Sequence, residues 1–124
     1  MKAVSNQLNF MSDYPGATTE ESVKIKLATY LLNPKHPRGK EKAAWFAAAL
    51  GFALDNLEEL ARQIVFDINR AVPTGATSFG RKYEQMISIV GANGRVIEVL
   101  FVWIANPDGV IRLVTAPPTT KKRK

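Results

Sequence analysis

The stretch from Lys82 to Ala116 limits what this 124-residue chain can fold into more than any other part of it. Lys82–Val90 has the composition of a strand, Gly91-Ala92-Asn93-Gly94 is a hairpin turn containing Asn-Gly, and Arg95–Ala105 is a second strand. Asn106-Pro107-Asp108-Gly109 makes another tight turn, and Val110–Ala116 forms a third strand stopped by Pro117-Pro118. The middle segment is apolar on both faces. Val96, Leu100, Val102 and Ile104 lie on one side, and Ile97, Val99, Phe101 and Trp103 on the other. Such a strand belongs inside a sheet, with neighbours on both edges.

Helices are expected ahead of that meander. Ala43, Phe46, Ala47 and Leu50 recur at i, i+3, i+4 and i+7, which predicts a helix over Lys40–Leu50 with Gly51 as its left-handed cap. Asp55-Asn56-Leu57-Glu58 has the form of a capping box. The helix it opens would carry Leu57, Leu60, Ala61, Ile64, Val65 and Ile68 as one stripe and end before Pro73. Pro73–Gly80 is a loop by composition. The segment before Asn33-Pro34 stays open. It fits a helix beginning at Thr18 or Thr19, with Val23, Leu27, Tyr30 and Leu31 on one face, and Ser22–Leu27 also alternates like a strand. The result is an α+β domain, with N-terminal helices packed on one face of an antiparallel meander. Residues 1–19 read as an irregular lead, 20–118 as the domain and 119–124 as a basic tail.

Composition removes several kinds of chemistry. With no cysteine there is no disulfide framework, thiolate zinc site or cysteine nucleophile, and one histidine makes a poor basis for a metal site. No apolar run approaches the roughly 20 residues that span a bilayer, and the first residues lack the layout of a signal peptide. No carboxylate pair has glycosidase or metal-nuclease spacing, and there is no Gly-x-Ser-x-Gly elbow. The net charge is +6, but the terminal Lys121-Lys122-Arg123-Lys124 supplies four of those charges and leaves the body at +2. From Lys24 to Lys42 there are six cations against Glu41, while Asp55, Glu58, Glu59 and Asp67 oppose only Arg62 farther on. A positive region beside a negative helix suits a one-sided surface for a polyanion, although it is also what a solvated charged face looks like.

The segment Asn33-Pro34-Lys35-His36-Pro37-Arg38-Gly39-Lys40-Glu41-Lys42 holds the single histidine and four of the cations. Neighbouring positive charge and the free N–H groups of a helix start both favour a neutral imidazole, which is a usable general base. The alternative is a loop histidine that caps a backbone group or faces water. Lys40 and Lys42 stand in the first turn of the expected helix, where cations are unfavourable unless an anion meets them. Thr115 closes the last strand on the face of Ile111 and Leu113, opposite Arg112. Arg81 and Lys82 add cations where the first strand begins. Large strand aromatics such as Tyr83 and Trp103 are core residues more often than base-stacking platforms.

A family resemblance enters through these residues. Lys26-Leu27-x-x-Tyr30-Leu31-Leu32-Asn33-Pro34-x-His36-Pro37-x-Gly39-x-x-Lys42-Ala43-x-x-Phe46 is its most distinctive run. Leu50-Gly51, Phe79-Gly80-x-x-Tyr83, Gly91-x-Asn93-Gly94, Val102-Trp103 and Arg112-Leu113-Val114-Thr115 follow. Together they resemble a bacterial toxin domain found at the C-terminus of polymorphic exoproteins, including contact-dependent growth inhibition (CdiA-type) effectors, over about Val23 to Pro118. The resemblance implies a fold of the barnase/EndoU/colicin/RelE group and a metal-independent ribonuclease without cofactor. It implies transfer RNA of a neighbouring cell as substrate and a cognate immunity protein, expected to be acidic, as partner. It further implies export as part of a cell-surface exoprotein, delivery to the target cytoplasm and no stable membrane insertion. The matching positions His36, Lys42, Tyr83, Trp103 and Thr115 become catalytic candidates, with Lys35, Arg38, Lys40 and Arg81 as substrate-binding ones. His36 is expected as base or acid, Lys42 with Arg38 or Lys40 as phosphate clamp, and Thr115 with Tyr83 as positioning groups. With one histidine, the chain departs from the two-histidine sites of EndoU-like enzymes. A non-catalytic nucleic-acid-binding module, and a toxin acting on a target other than RNA, are the competing readings.

Overall fold

The computed structural model describes residues 16–117. The expected irregular lead up to residue 15 and the basic tail 119–124 lie outside the described residues. The segment left open is a helix, α1 (Thr19–Lys26). Thr18 caps it, its hydroxyl accepting the N–H of Glu21 at 3.1 Å, while the Glu21 carboxylate accepts the N–H of Ala17 at 2.8 Å. The chain continues into a π-turn (Leu27–Leu31), closed by the N–H of Leu32 on the carbonyl of Leu27 at 2.9 Å. Single π-turns of this kind re-aim the side chains that follow. Val23, Leu27 and Leu31 are buried.

Helix α2 (Lys40–Leu50) has the predicted bounds and ends at Gly51, whose φ of 76° is left-handed. The N–H groups of Gly51 and Phe52 return to Ala47 and Phe46 at 3.1 Å each, satisfying carbonyls that would otherwise be orphaned. The β-hairpin ahead seals the same helix end. Asn93 donates from its backbone to Leu50 at 3.4 Å and from Nδ2 to Ala49 at 3.1 Å.

Two expectations are corrected between α2 and the sheet. The capping box at Asp55 is absent. A 3-10 turn (Leu54–Asn56) precedes α3 (Leu57–Ala61), and Asn56 links the N–H of Ala53 to the carbonyl of Gly51, at 2.8 and 3.0 Å. The stripe predicted to reach Ile68 breaks after Ala61. Leu60 and Ile64 are buried, but Val65 and Ile68 are 62% and 58% exposed. Side-chain amides replace the helical hydrogen bonds there. Gln63 exchanges two with the backbone of Val90, at 2.8 and 2.9 Å, and Gln85 holds Val65 and Asp67, at 3.2 Å each. The second correction is β1 (Val72–Thr77), read from composition as loop. It is a fully exposed edge strand with a bulge between Pro73 and Gly75, residues that suppress a strand signal but are tolerated at an edge.

β1 begins a four-stranded antiparallel sheet in sequential order with β2 (Gly80–Val90), β3 (Val96–Ala105) and β4 (Ile111–Thr115). The expected α+β architecture is present, and β3 is interior. Tyr83, Trp103 and Leu113 form one row across β2, β3 and β4. Val99, Phe101, Trp103, Ile89 and Leu113 form a single core with Val23, Leu27, Leu31, Phe46 and Leu50 of the helical layer.

Polar contacts hold β4 from both sides of its own chain. The N–H of Leu113 donates to the buried Ser22 hydroxyl of α1 at 2.9 Å. The buried Arg112 guanidinium donates to the Gly16 carbonyl at 2.7 and 3.0 Å, to Asn106 at 2.9 Å and to both Asp108 oxygens at 2.8 and 3.0 Å. Arg112→Ala would strand these acceptors and cost about 3 kcal/mol in chemical denaturation. Hydrogen bonds from Arg112, only partly opposed by burial, hold the Asp108 carboxyl below its ordinary 3.8. A lowered folded value means that stabilisation is complete above the ordinary value and is lost as pH falls through the folded one. The stability difference between wild type and Asp108→Asn should therefore be constant above about pH 5, at roughly 1 kcal/mol or less, and shrink below about pH 4.

Candidate functional site

The loop between the π-turn and α2 is built around His36. Its Nδ1 accepts the backbone N–H groups of Arg38 at 2.9 Å and Gly39 at 3.0 Å, and its carbonyl accepts the N–H of Lys40 at 3.0 Å. Asn33 repeats the device one step earlier, its side chain accepting the N–H of Lys35 at 2.9 Å. His36 is thus a cap, occupying the place that Asn or Asp fills in most such turns. By these hydrogen bonds the ring hydrogen is assigned to Nε2. That edge can donate, but the ring has no free lone pair with which to take up a proton. The general-base role expected for His36 is corrected on this ground.

The imidazole packs edge-on against Tyr30, with ring centroids 4.9 Å apart and planes at 65°. Tyr30 Oη lies 3.4 Å from Thr115 Oγ1, and either hydroxyl can donate. Lys26 Nζ stands 5.8 Å from the centre of the Tyr30 ring, within reach of a cation–π contact. Tyr30 therefore joins two of the predicted residues, His36 and Thr115, and is itself 85 positions from the latter. Gly39 allows the loop to lie this close. A Cβ there would sit 2.1 Å from the Tyr30 carbonyl oxygen, which is backbone and cannot give way.

The other candidates divide by location. Lys42 is half-buried and lines a cleft of about 240 Å³ with Glu41, Trp45, Phe46, Val99 and Ala116. Ala116, which lines the cleft, is the residue after Thr115 in the chain. Lys40 is two residues earlier and borders a different groove with Leu32, Pro34 and Leu54, so it is no partner to Lys42 in a single clamp. Lys35 and Arg38 are exposed on the loop itself.

Trp103 is a core side chain with no exposed surface, and its Nε1 has no hydrogen-bond partner among the described residues. It cannot touch a substrate in this fold, which corrects its expected catalytic role. Phe66 packs edge-to-face on Trp103 at 5.4 Å and on Tyr83 at 5.7 Å, which places Tyr83 in an aromatic cluster. Tyr83 and Thr115 stand on strands separated by β3, so their backbones are about 10 Å apart at roughly 4.8 Å per strand. The tyrosine that meets Thr115 is Tyr30. Arg81 pairs with Ala105 at the opposite end of the sheet, in line with Ile111 rather than Thr115, about 13 Å along the strand.

Two adjacent hydroxyls, an imidazole N–H edge and nearby ammonium groups make a site for an oxyanion such as a phosphate diester. Among the described residues no group of three or more His, Asp or Glu is placed to hold a metal ion, and no helix is long and apolar enough to cross a membrane. Sequence reasoning missed Tyr30 and Trp45. Tyr30 had a signal, since it stands inside the most distinctive run, six residues before the histidine.

The cap assignment is testable. Asparagine keeps an acceptor close to the position of His36 Nδ1, whereas alanine removes it. His36→Ala should cost about 1–2 kcal/mol in urea denaturation and His36→Asn should recover most of that. Equal destabilisation by the two would show that the cap is not what the side chain contributes.

The family model described as Domain of unknown function (DUF6883) matches residues 18–120. No curated protein and no solved structure gives a significant match. The matched span runs from the N-cap of α1 to just beyond β4, so the chain belongs to the DUF6883 family.

Proposed function

We propose that this domain is a ribonuclease, cutting RNA by attack of a ribose 2′-oxygen on the adjacent phosphate. The observation that carries the reading is the junction of His36, Tyr30 and Thr115. In the reaction the O2′–P bond forms and the P–O5′ bond breaks, leaving a 2′,3′-cyclic phosphate and a 5′-hydroxyl. The 2′-proton passes to solvent. The Tyr30 phenol gives its proton to the departing 5′-oxygen and regains one from water; a phenol is a competent acid toward an alkoxide. Thr115 fixes the phenol, the His36 Nε2–H donates to a phosphate oxygen, and Lys42 and Lys26 offset the charge that develops there.

This is the activity implied by the toxin resemblance, reassigned to other side chains. In that setting the substrate is transfer RNA of a neighbouring cell, reached by delivery from an exported exoprotein. An acidic immunity protein would neutralise the domain by covering Lys26, Lys35, Arg38 and Lys42.

Tyr30→Phe keeps the ring against His36 and deletes only the hydroxyl. Cleavage of total transfer RNA, followed on denaturing gels, should fall about 10²–10³-fold with the denaturation midpoint nearly unchanged. Thr115→Val should give a smaller loss. RNA left intact by the wild-type protein, with or without divalent cations, would overturn the reading, as would full activity in Tyr30→Phe. Salt-sensitive RNA binding without products would point instead to a non-catalytic binding module.

A further inference from the structure

The cleft beside Thr115 has a composition that the phosphate chemistry alone does not use. Glu41, Lys42, Trp45 and Phe46 recur at i, i+1, i+4 and i+5 of α2 and face Val99 and Ala116 across it. Phe46 is buried and packs edge-to-face on Trp45 at 5.1 Å, while Trp45 stays partly exposed at the cleft wall. The core needs Phe46; the second, larger ring is only partly buried against it. The walls are otherwise aliphatic, and among the described residues the charged groups lining the cleft are one carboxylate and one ammonium. Its volume of about 240 Å³ falls below the roughly 300 Å³ at which pockets for drug-sized ligands begin, so it admits one planar ring system and not a dinucleotide.

We propose that this cleft seats a single nucleobase, stacked on Trp45, next to the phosphate held at Tyr30 and Thr115. The proposal rests on the ribonuclease reading for its orientation, with Ala116 of the cleft wall following Thr115 in the chain. An indole face accepts any base by stacking. Glu41 adds selectivity, since a carboxylate accepts from an exocyclic amino group and repels the paired carbonyls of uracil. Lys42, which lines the same cleft, would meet the sugar–phosphate of the bound nucleotide. Adenine, cytosine and guanine should therefore bind better than uracil.

The experiment uses the intact protein and the 3′-monophosphates of adenosine, cytidine and uridine as probes. The chain has two tryptophans, and Trp103 is fully buried, so only Trp45 can report stacking. Adenosine and cytidine 3′-monophosphates should quench fluorescence saturably, uridine 3′-monophosphate more weakly, and inorganic phosphate not at all. The quench should vanish in Trp45→Phe while binding in equilibrium dialysis persists. Trp45→Ala should raise Kd roughly ten- to hundredfold. Glu41→Gln should narrow the gap between cytidine and uridine probes. An absent quench, or Trp45→Ala binding as tightly as wild type, would overturn the base site. The two readings fail separately. Nucleotide binding that depends on Trp45, in a protein that cuts no RNA, removes the ribonuclease and keeps the base site. RNA cleavage with Trp45→Ala binding unchanged does the reverse.

Discussion

The docking of α1 along the free edge of β4 determines most of what this molecule can do. An edge strand leaves backbone N–H groups without a strand partner. Here the buried hydroxyl of Ser22 takes the one from Leu113 at 2.9 Å, and Val23, Leu27 and Leu31 press into the core beside it. Once Ser22 is fixed on Leu113, the next turns of the chain must run past the end of β4. The π-turn at Leu27–Leu31 then directs Tyr30 onto Thr115, two residues beyond Leu113. A regular α-helix of the same length would aim that side chain differently, because one extra residue in a turn rotates everything after it. The pairing of the two hydroxyls is thus a consequence of how an edge was covered.

The second constraint is the return of the loop over Tyr30. Gly39 lies against the Tyr30 carbonyl so closely that no Cβ fits, and His36 bonds the N–H of Gly39 to hold it there. The histidine therefore serves geometry first. Its Nδ1 is committed to the backbone, and its ring packs against that of Tyr30 at an angle of 65°. A residue that organises a loop in this way produces a site without performing the proton transfer usually credited to a lone histidine. On the proposed ribonuclease reading, the acid is the phenol it supports.

Much of the fold was legible because it is written in period and punctuation. Helix α2, its glycine cap, both tight turns and the interior β3 all follow from spacing and turn chemistry that act locally. The misread elements are those where distant side chains overruled local preference. Ile64, Val65 and Ile68 keep helical spacing, yet Gln63 and Gln85 hold the segment out of the helix by binding the backbone of Val90, Val65 and Asp67. Neither glutamine carries a pattern that announces this. β1 was hidden by its own Pro73 and Gly75. In the candidate site, the histidine loop was visible from composition, and the cap was one of two roles its residues allowed. The contact between Tyr30 and Thr115 spans 85 positions, and no local rule can bring those side chains together.

The arrangement also changes what the basic composition means. Cations that are neighbours in sequence are dispersed in space. Lys40 and Lys42 border separate grooves, Arg81 stands at the far end of the sheet, and Lys24 is paired with Glu58 of α3 at 3.2 Å. That pair joins the positive segment to the acidic helix, so the two charge clusters partly neutralise one another where they meet. What remains is narrower than a basic face. Lys26 stands against the Tyr30 ring, Lys42 lines its own cleft, and Lys35 and Arg38 are exposed on the loop. On the ribonuclease reading, so few exposed cations suit a single strand of phosphates better than a duplex groove, because bases on a single strand are free to leave the backbone and stack. The partly exposed Trp45, one turn along α2 from Glu41, is the ring on which such a base would then stack.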